Sequence, residues 1–169
     1  MIEISSFFIW LIRTFSYFGI FIASLAGTST LFIPFPLDAI ISFAAISLGL
    51  HPFLVGILAG GGATFGEITG YLVGLGSREI IEEKEINKKV GKTVKFLKEL
   101  FEKHGFWILP IAAFIPFPFD IIGISAGVGN YDIKKFLLGV FIGKATRCVL
   151  IAYISYFAIP QFMTWLGMM

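Results

Sequence analysis

Apolar runs separated by short polar breaks fill most of this chain, and one central stretch reverses that pattern. A helix crossing the hydrocarbon of a bilayer needs about 20 predominantly apolar residues. Residues 52–77 and 132–159 meet that requirement, whereas 38–49, 105–115 and 120–129 are too short. Residues 4–26 are long enough but carry Arg13. A surface helix reaching about Arg13 and leading into a shorter membrane segment suits them at least as well. The side on which the N-terminus lies is left open.

Each short run borders a Pro-x-Pro. Proline removes a backbone donor and disfavours helix in the residue before it. Residues 32–38 read Phe-Ile-Pro-Phe-Pro-Leu-Asp and residues 114–120 read Phe-Ile-Pro-Phe-Pro-Phe-Asp. With one inserted residue the likeness continues, pairing Phe53, Gly56 and Gly60 with Phe136, Gly139 and Gly143. This is a duplication. Each copy reads as a half-helix, a turn built on Pro34 and Pro36 or on Pro116 and Pro118, a returning half-helix, and then a full crossing. One crossing per copy places the second copy upside down relative to the first, the layout of many secondary transporters. Non-helical backbone at membrane depth is tolerated only when it is buried in protein or lines a wet cavity, which makes the turns candidates for a site.

The fold class expected is therefore an all-α integral membrane protein. It is an inverted repeat of re-entrant hairpin plus transmembrane helix, forming one membrane domain over residues 1–169. Repeat 1 covers about 15–77 and repeat 2 about 104–159. Between them, 78–103 holds eight of the 13 Lys and Arg and six of the 11 Asp and Glu. Ile86, Val90, Val94, Leu97 and Phe101 recur there at helical spacing, with Glu85–Lys89 and Glu99–Lys103 in the favoured i, i+4 order. An amphipathic helix on the membrane surface is expected. Its basic residues assign it to the cytoplasmic side, together with Lys134 and Lys135.

Composition agrees with this reading. The chain is 57% hydrophobic and 14% charged, and its mean hydropathy is +0.89. Soluble domains carry roughly 25% charge. Twenty phenylalanines suit an apolar exterior with aromatic residues near the interfaces. Cys148 is the single cysteine, which excludes an internal disulfide and a CxxC site, and it reads as a small packing residue. Ser24-Leu25-Ala26 would suit a signal-peptide cleavage site. However, no Lys or Arg precedes the apolar run, so cleavage is not expected.

Five ionisable residues fall inside the apolar runs: Asp38, Glu67, Asp120, Lys144 and Arg147. A charge at the bilayer centre costs about 2.5–3.5 kcal/mol or more on insertion scales, so such residues face a cavity or each other. Asp38 and Asp120 each start a half-helix. A first-turn acid favoured by the helix dipole explains them, as does a pair of titrating carboxylates facing each other across a pseudo-two-fold axis. Lys144 and Arg147 are one turn apart and suit an anionic headgroup such as phosphate, which arginine can grip through two oxygens. Internal pairing with Glu67 or an aspartate is the alternative, and both could hold if the anion exchanges for the carboxylate. The glycines of 60–74 read as close helix packing, not as a phosphate loop, since they lack the Gly-Lys-Ser/Thr ending. His51 and His104 lack metal-ligand spacing and read as interfacial residues.

Several of these features resemble the DedA superfamily, also called the VTT domain or SNARE-associated Golgi protein family, and the second half is most similar to its YqaA-like branch. The resemblance rests on 116–120, Ala126-Gly127, Phe136 and Gly143-Lys144-Ala145-Thr146-Arg147. In the first half it rests on Gly66-Glu67 with Tyr71, Gly74 and Arg78, and it spans roughly 15–157. It implies an inverted-repeat fold with two re-entrant hairpins, membrane-embedded acids and lipid transport. Bacterial relatives are linked to recycling of undecaprenyl phosphate or phospholipid, often with dependence on the proton-motive force, and eukaryotic relatives are similar to phospholipid scramblases. Many bacterial members carry arginines around the second hairpin, where this chain has Phe114 and Asp120. Lys144 and Arg147 would then hold the anion, or the substrate differs.

The expected function is a flippase- or scramblase-like transporter of an anionic lipid headgroup, polyprenyl phosphate or phospholipid, with proton coupling left open. Its site would comprise Asp38, Glu67, Asp120, Lys144 and Arg147. A proton-coupled carrier of small ions or solutes, or a non-transporting membrane organiser recruiting partners through 78–103, are the alternatives. No nucleophile or acid/base constellation points to an enzyme. The partners expected are phosphate-bearing membrane lipids in the plasma membrane, without nucleic acid, metal or cofactor. A homodimer is left open.

Overall fold

The computed structural model describes residues 2–30, 36–83, 105–115 and 119–165, and the described residues are helical with no strand among them. Helix α1 is Ile2–Ser29, α2 is Leu37–Ser47, α3 is Pro52–Gly66 and α4 is Ile68–Glu83. A 3-10 turn, Gly105–Trp107, leads into α5, Ile108–Phe114; α6 is Asp120–Val128 and α7 is Ile133–Trp165. Three stretches are long and apolar enough to cross a membrane: Ile9–Ser29, Pro52–Ser77 and Ile133–Ala158.

The helix starts and breaks have local causes. Pro52 opens α3 at its first position, where no amide is needed. Asp132 caps α7, its carboxylate accepting from the Lys135 amide at 2.8 Å. In α1 the helix breaks at Ser16 (φ 49, ψ −119), three residues beyond Arg13. Between α3 and α4 the only interruption is Glu67, whose amide still donates to the Ala63 carbonyl. Helix α4 runs on to Glu83, so the first six residues of the 78–103 segment prolong it. The remainder of that segment lies outside the described residues, as do Pro34, Pro116, Pro118 and His104.

Small residues set the helix directions. A Cβ on Gly56 would meet the Val149 backbone and one on Gly60 the Ala145 backbone, so α3 and α7 run antiparallel. Gly62 faces Phe21, Gly66 faces Leu25 and Thr28, and α1 therefore runs parallel to α3. The His51 amide donates to the Tyr17 hydroxyl at 3.0 Å, tying the start of α3 to α1 just beyond its break. Gly139 faces Phe106 and Leu109, Gly143 faces Pro110 and Ala113, and α5 runs parallel to α7. Gly123 lies beside Glu67 and Tyr71, Gly127 beside Tyr71 and Leu75, and α6 runs parallel to α4. The equivalent glycines of the two copies thus have different tasks: Gly56 and Gly60 admit α7, whereas Gly139 and Gly143 admit α5.

Two apolar clusters fill the interior. Ile12, Ile20, Ile41, Val55, Cys148 and Ala152 belong to one, Tyr71, Leu109, Phe119, Phe136 and Val140 to the other. Leu72, Val73, Leu138, Leu150 and Ile154 are exposed, as expected of residues whose solvent is lipid.

Candidate functional site

Midway along α7, Lys144 and Arg147 are the basic residues on the spanning stretch Ile133–Ala158 beyond its first turn, and each reaches a different helix. The Lys144 ammonium donates to Glu67 Oε1 at the α3–α4 junction. Their side chains are 13% and 5% exposed, so the pair is sealed in the interior. The Lys144 ammonium also lies 5.5 Å from the centre of the Phe119 ring, a cation–π contact. Asp120, the next residue, starts α6 close enough for its charge to act on Glu67.

The second pair is more open. Arg147 Nη2 donates to Asp38 Oδ2 at 2.5 Å, with side chains 26% and 50% exposed. Asp38 sits in the first turn of α2. One turn further, the Ser42 hydroxyl meets the Ser155 hydroxyl at 2.8 Å, which lays α2 parallel to α7. The two duplicated aspartates are therefore both first-turn acids: Asp38 is held by Arg147, whereas Asp120 stands near the Glu67–Lys144 pair. Internal pairing, one of the two readings of Lys144 and Arg147, is what this structure holds.

Glu67 Oε2 is buried with no hydrogen-bond partner among the described residues. Burying such an oxygen costs free energy that the ion pair must offset. The end of α1 is fixed at the same level: the Thr28 hydroxyl donates to the Ala63 carbonyl and the Thr69 hydroxyl to the Ser29 carbonyl. The Tyr71 hydroxyl donates to the Tyr131 carbonyl, joining α4 to the loop before α7. Burial pushes the Tyr131 phenol up, and the neighbouring Asp132 adds to the shift. That phenol therefore stays neutral at physiological pH. Of the turn prolines only Pro36 lies in the described region, at the start of α2. Sequence reasoning missed Ser42, Ser155 and Thr28, because hydroxyls in apolar runs carry no periodic signal.

Among the described residues, no group of three or more His, Cys, Asp or Glu could hold a metal ion. His51 is exposed at the start of α3. The VTT domain model matches residues 33–157. The chain is 30% identical over 142 residues to the uncharacterized protein MJ0201 of Methanocaldococcus jannaschii, covering 83% of this chain and 84% of that protein. It is 32% identical over 62 residues to an uncharacterized HI0703 homolog of Histophilus somni, 37% of this chain and 32% of that protein. No solved structure gives a significant match.

Proposed function

The chain belongs to the VTT domain, or DedA, family of multi-pass membrane proteins, and from that premise we propose that it is a flippase- or scramblase-like lipid transporter. Its cargo is an anionic, phosphate-bearing headgroup, on a polyprenyl phosphate or a phospholipid. The observation that carries this reading is the pair of cations halfway along α7, each held by a carboxylate from a different helix.

Helix directions support the two re-entrant hairpins. Helix α1 is parallel to α3 and α2 to α7, and α3 and α7 are antiparallel, so α2 runs back against α1. By the same reasoning α6 runs back against α5, and the two hairpins point at each other from opposite faces. Beyond the break at Ser16, α1 has 13 residues to Ser29, about 20 Å of helix, against a hydrocarbon core of about 30 Å. Such a half-helix ends inside the membrane, at the level of Gly66.

Within this reading the buried Glu67–Lys144 pair is structural and the Asp38–Arg147 pair is exchangeable. A phosphate competes with Asp38 for Arg147, because guanidinium holds two phosphate oxygens as readily as a carboxylate. Displaced Asp38 is then left without its cation, and that is where proton coupling would enter. The basic 78–103 segment assigns the face of Lys134 and Lys135 to the cytoplasm of the cell membrane.

Translocation of a fluorescent phosphate-bearing lipid in reconstituted liposomes tests the proposal. Asp38→Ala, Asp120→Ala and Arg147→Ala should each slow the flux by about tenfold or more, the worth of one charge-assisted contact. Unchanged flux in all three would sink it. Proton-dependent flux of a soluble ion without lipid movement would favour a solute carrier instead.

A further inference from the structure

On the lipid-facing side of the second hairpin, α5 and α7 enclose a groove of about 350 Å³. That is within the range of about 300–1,000 Å³ that small-molecule sites occupy. Trp107, Ile111, Phe114 and Ile115 form one wall, and Ile142, Gly143 and Thr146 form the other. The Thr146 hydroxyl is spent on the Ile142 carbonyl at 2.7 Å, which leaves its methyl group for the groove. The lining is thus apolar from end to end.

Its orientation matters more than its size. Trp107 opens the second hairpin, and tryptophan favours the membrane interface. Ile115 ends α5 next to the hairpin turn. Seven residues lie between them, and the rise from one to the other is about 12 Å, close to the half-thickness of the hydrocarbon. Gly143 lets α5 approach α7 and forms the groove floor. Arg147 stands four residues further along α7, on the same helix face, and so lies just past the inner end of the groove.

We propose that this groove seats one hydrocarbon chain of a lipid whose anionic headgroup is held at Arg147. The inference deepens the transport reading and rests on its choice of an anionic lipid. Charge complementarity selects this occupant: an apolar channel leads from the interface towards a guanidinium that is 26% exposed. An uncharged chain has no reason to stop at that depth.

The test reads tryptophan fluorescence from Trp107 in the full chain carrying Trp10→Phe and Trp165→Phe, reconstituted with lipids brominated on the chain. A brominated phosphatidic acid should half-quench Trp107 at about a tenfold lower mole fraction than a brominated phosphatidylcholine, as one charge-assisted contact would give. Arg147→Gln should abolish that preference, Arg147→Lys should keep part of it, and Thr146→Phe should reduce quenching by both lipids. Equal quenching by the two lipids in the parent protein overturns the proposal. So does absence of quenching by either, which would mean that protein covers the groove. Selective quenching without lipid flux would refute transport and leave the groove standing, while flux without selective quenching would do the reverse.

Discussion

Glu67 and Asp38 illustrate how differently two intramembrane carboxylates can be placed. Glu67 is sealed against Lys144, whereas Asp38 holds Arg147 at a half-open face. Breaking a buried pair by removing one partner costs about 3–5 kcal/mol, because a charge is left unpaired in the interior. Glu67→Gln and Lys144→Met should each lower the thermal midpoint in detergent by that order, and the double variant should cost less than the sum of the two. Asp38→Asn should change stability far less while slowing flux. Ser16 offers a test of another kind. Its positive φ places a side chain where only glycine is comfortable. Ser16→Gly should therefore raise stability by about 1 kcal/mol in the same melt. All five charged residues were legible in the sequence as expensive groups needing partners. Which acid meets which cation was not, because that depends on how α2 and α4 are rotated against α7.

The short helices could be read from apolar runs and prolines, and their described ends fall close to the expected ones. The continuation of α4 past Ser77 could not, since neither glycine nor proline stands at 77–80 to stop a helix. The glycines were read as packing residues, but their partners follow only from the assembled helices. Gly74 meets the Ile124 carbonyl and Gly127 that of Tyr71, at a seam with no room for a side chain. Gly74→Val and Gly127→Leu should each destabilise by about 1–3 kcal/mol or more through overpacking. Gly76, on the same helix α4, has nothing near its missing Cβ. Gly76→Ala should be neutral or stabilise by up to about 1 kcal/mol. Equal losses at Gly76 and Gly127 would mean that the α4–α6 seam is not where the structure puts it.

At the scale of the whole molecule, duplication was visible in the two Phe-Ile-Pro-Phe-Pro-x-Asp motifs, and the odd crossing count per copy led to the proposed inversion. What the pattern could not carry is the interlocking. A short helix from each copy lies along a long helix of the other, α2 on α7 and α6 on α4. In both ion pairs the carboxylate comes from the first copy and the cation from the second, and under the proposed function a headgroup path between them needs both. The antiparallel course of α3 and α7 puts His51 and Lys134 at opposite ends of that helix pair, both exposed, and the proposed topology makes these ends opposite faces of the membrane. Cysteine labelling with a membrane-impermeant maleimide reads this directly, using His51→Cys and Lys134→Cys in a Cys148→Ala background in sealed cells and inverted vesicles. His51→Cys should react only from outside and Lys134→Cys only from the cytoplasmic side. Reaction of both from the same side would contradict the inverted arrangement on which the proposed lipid path depends.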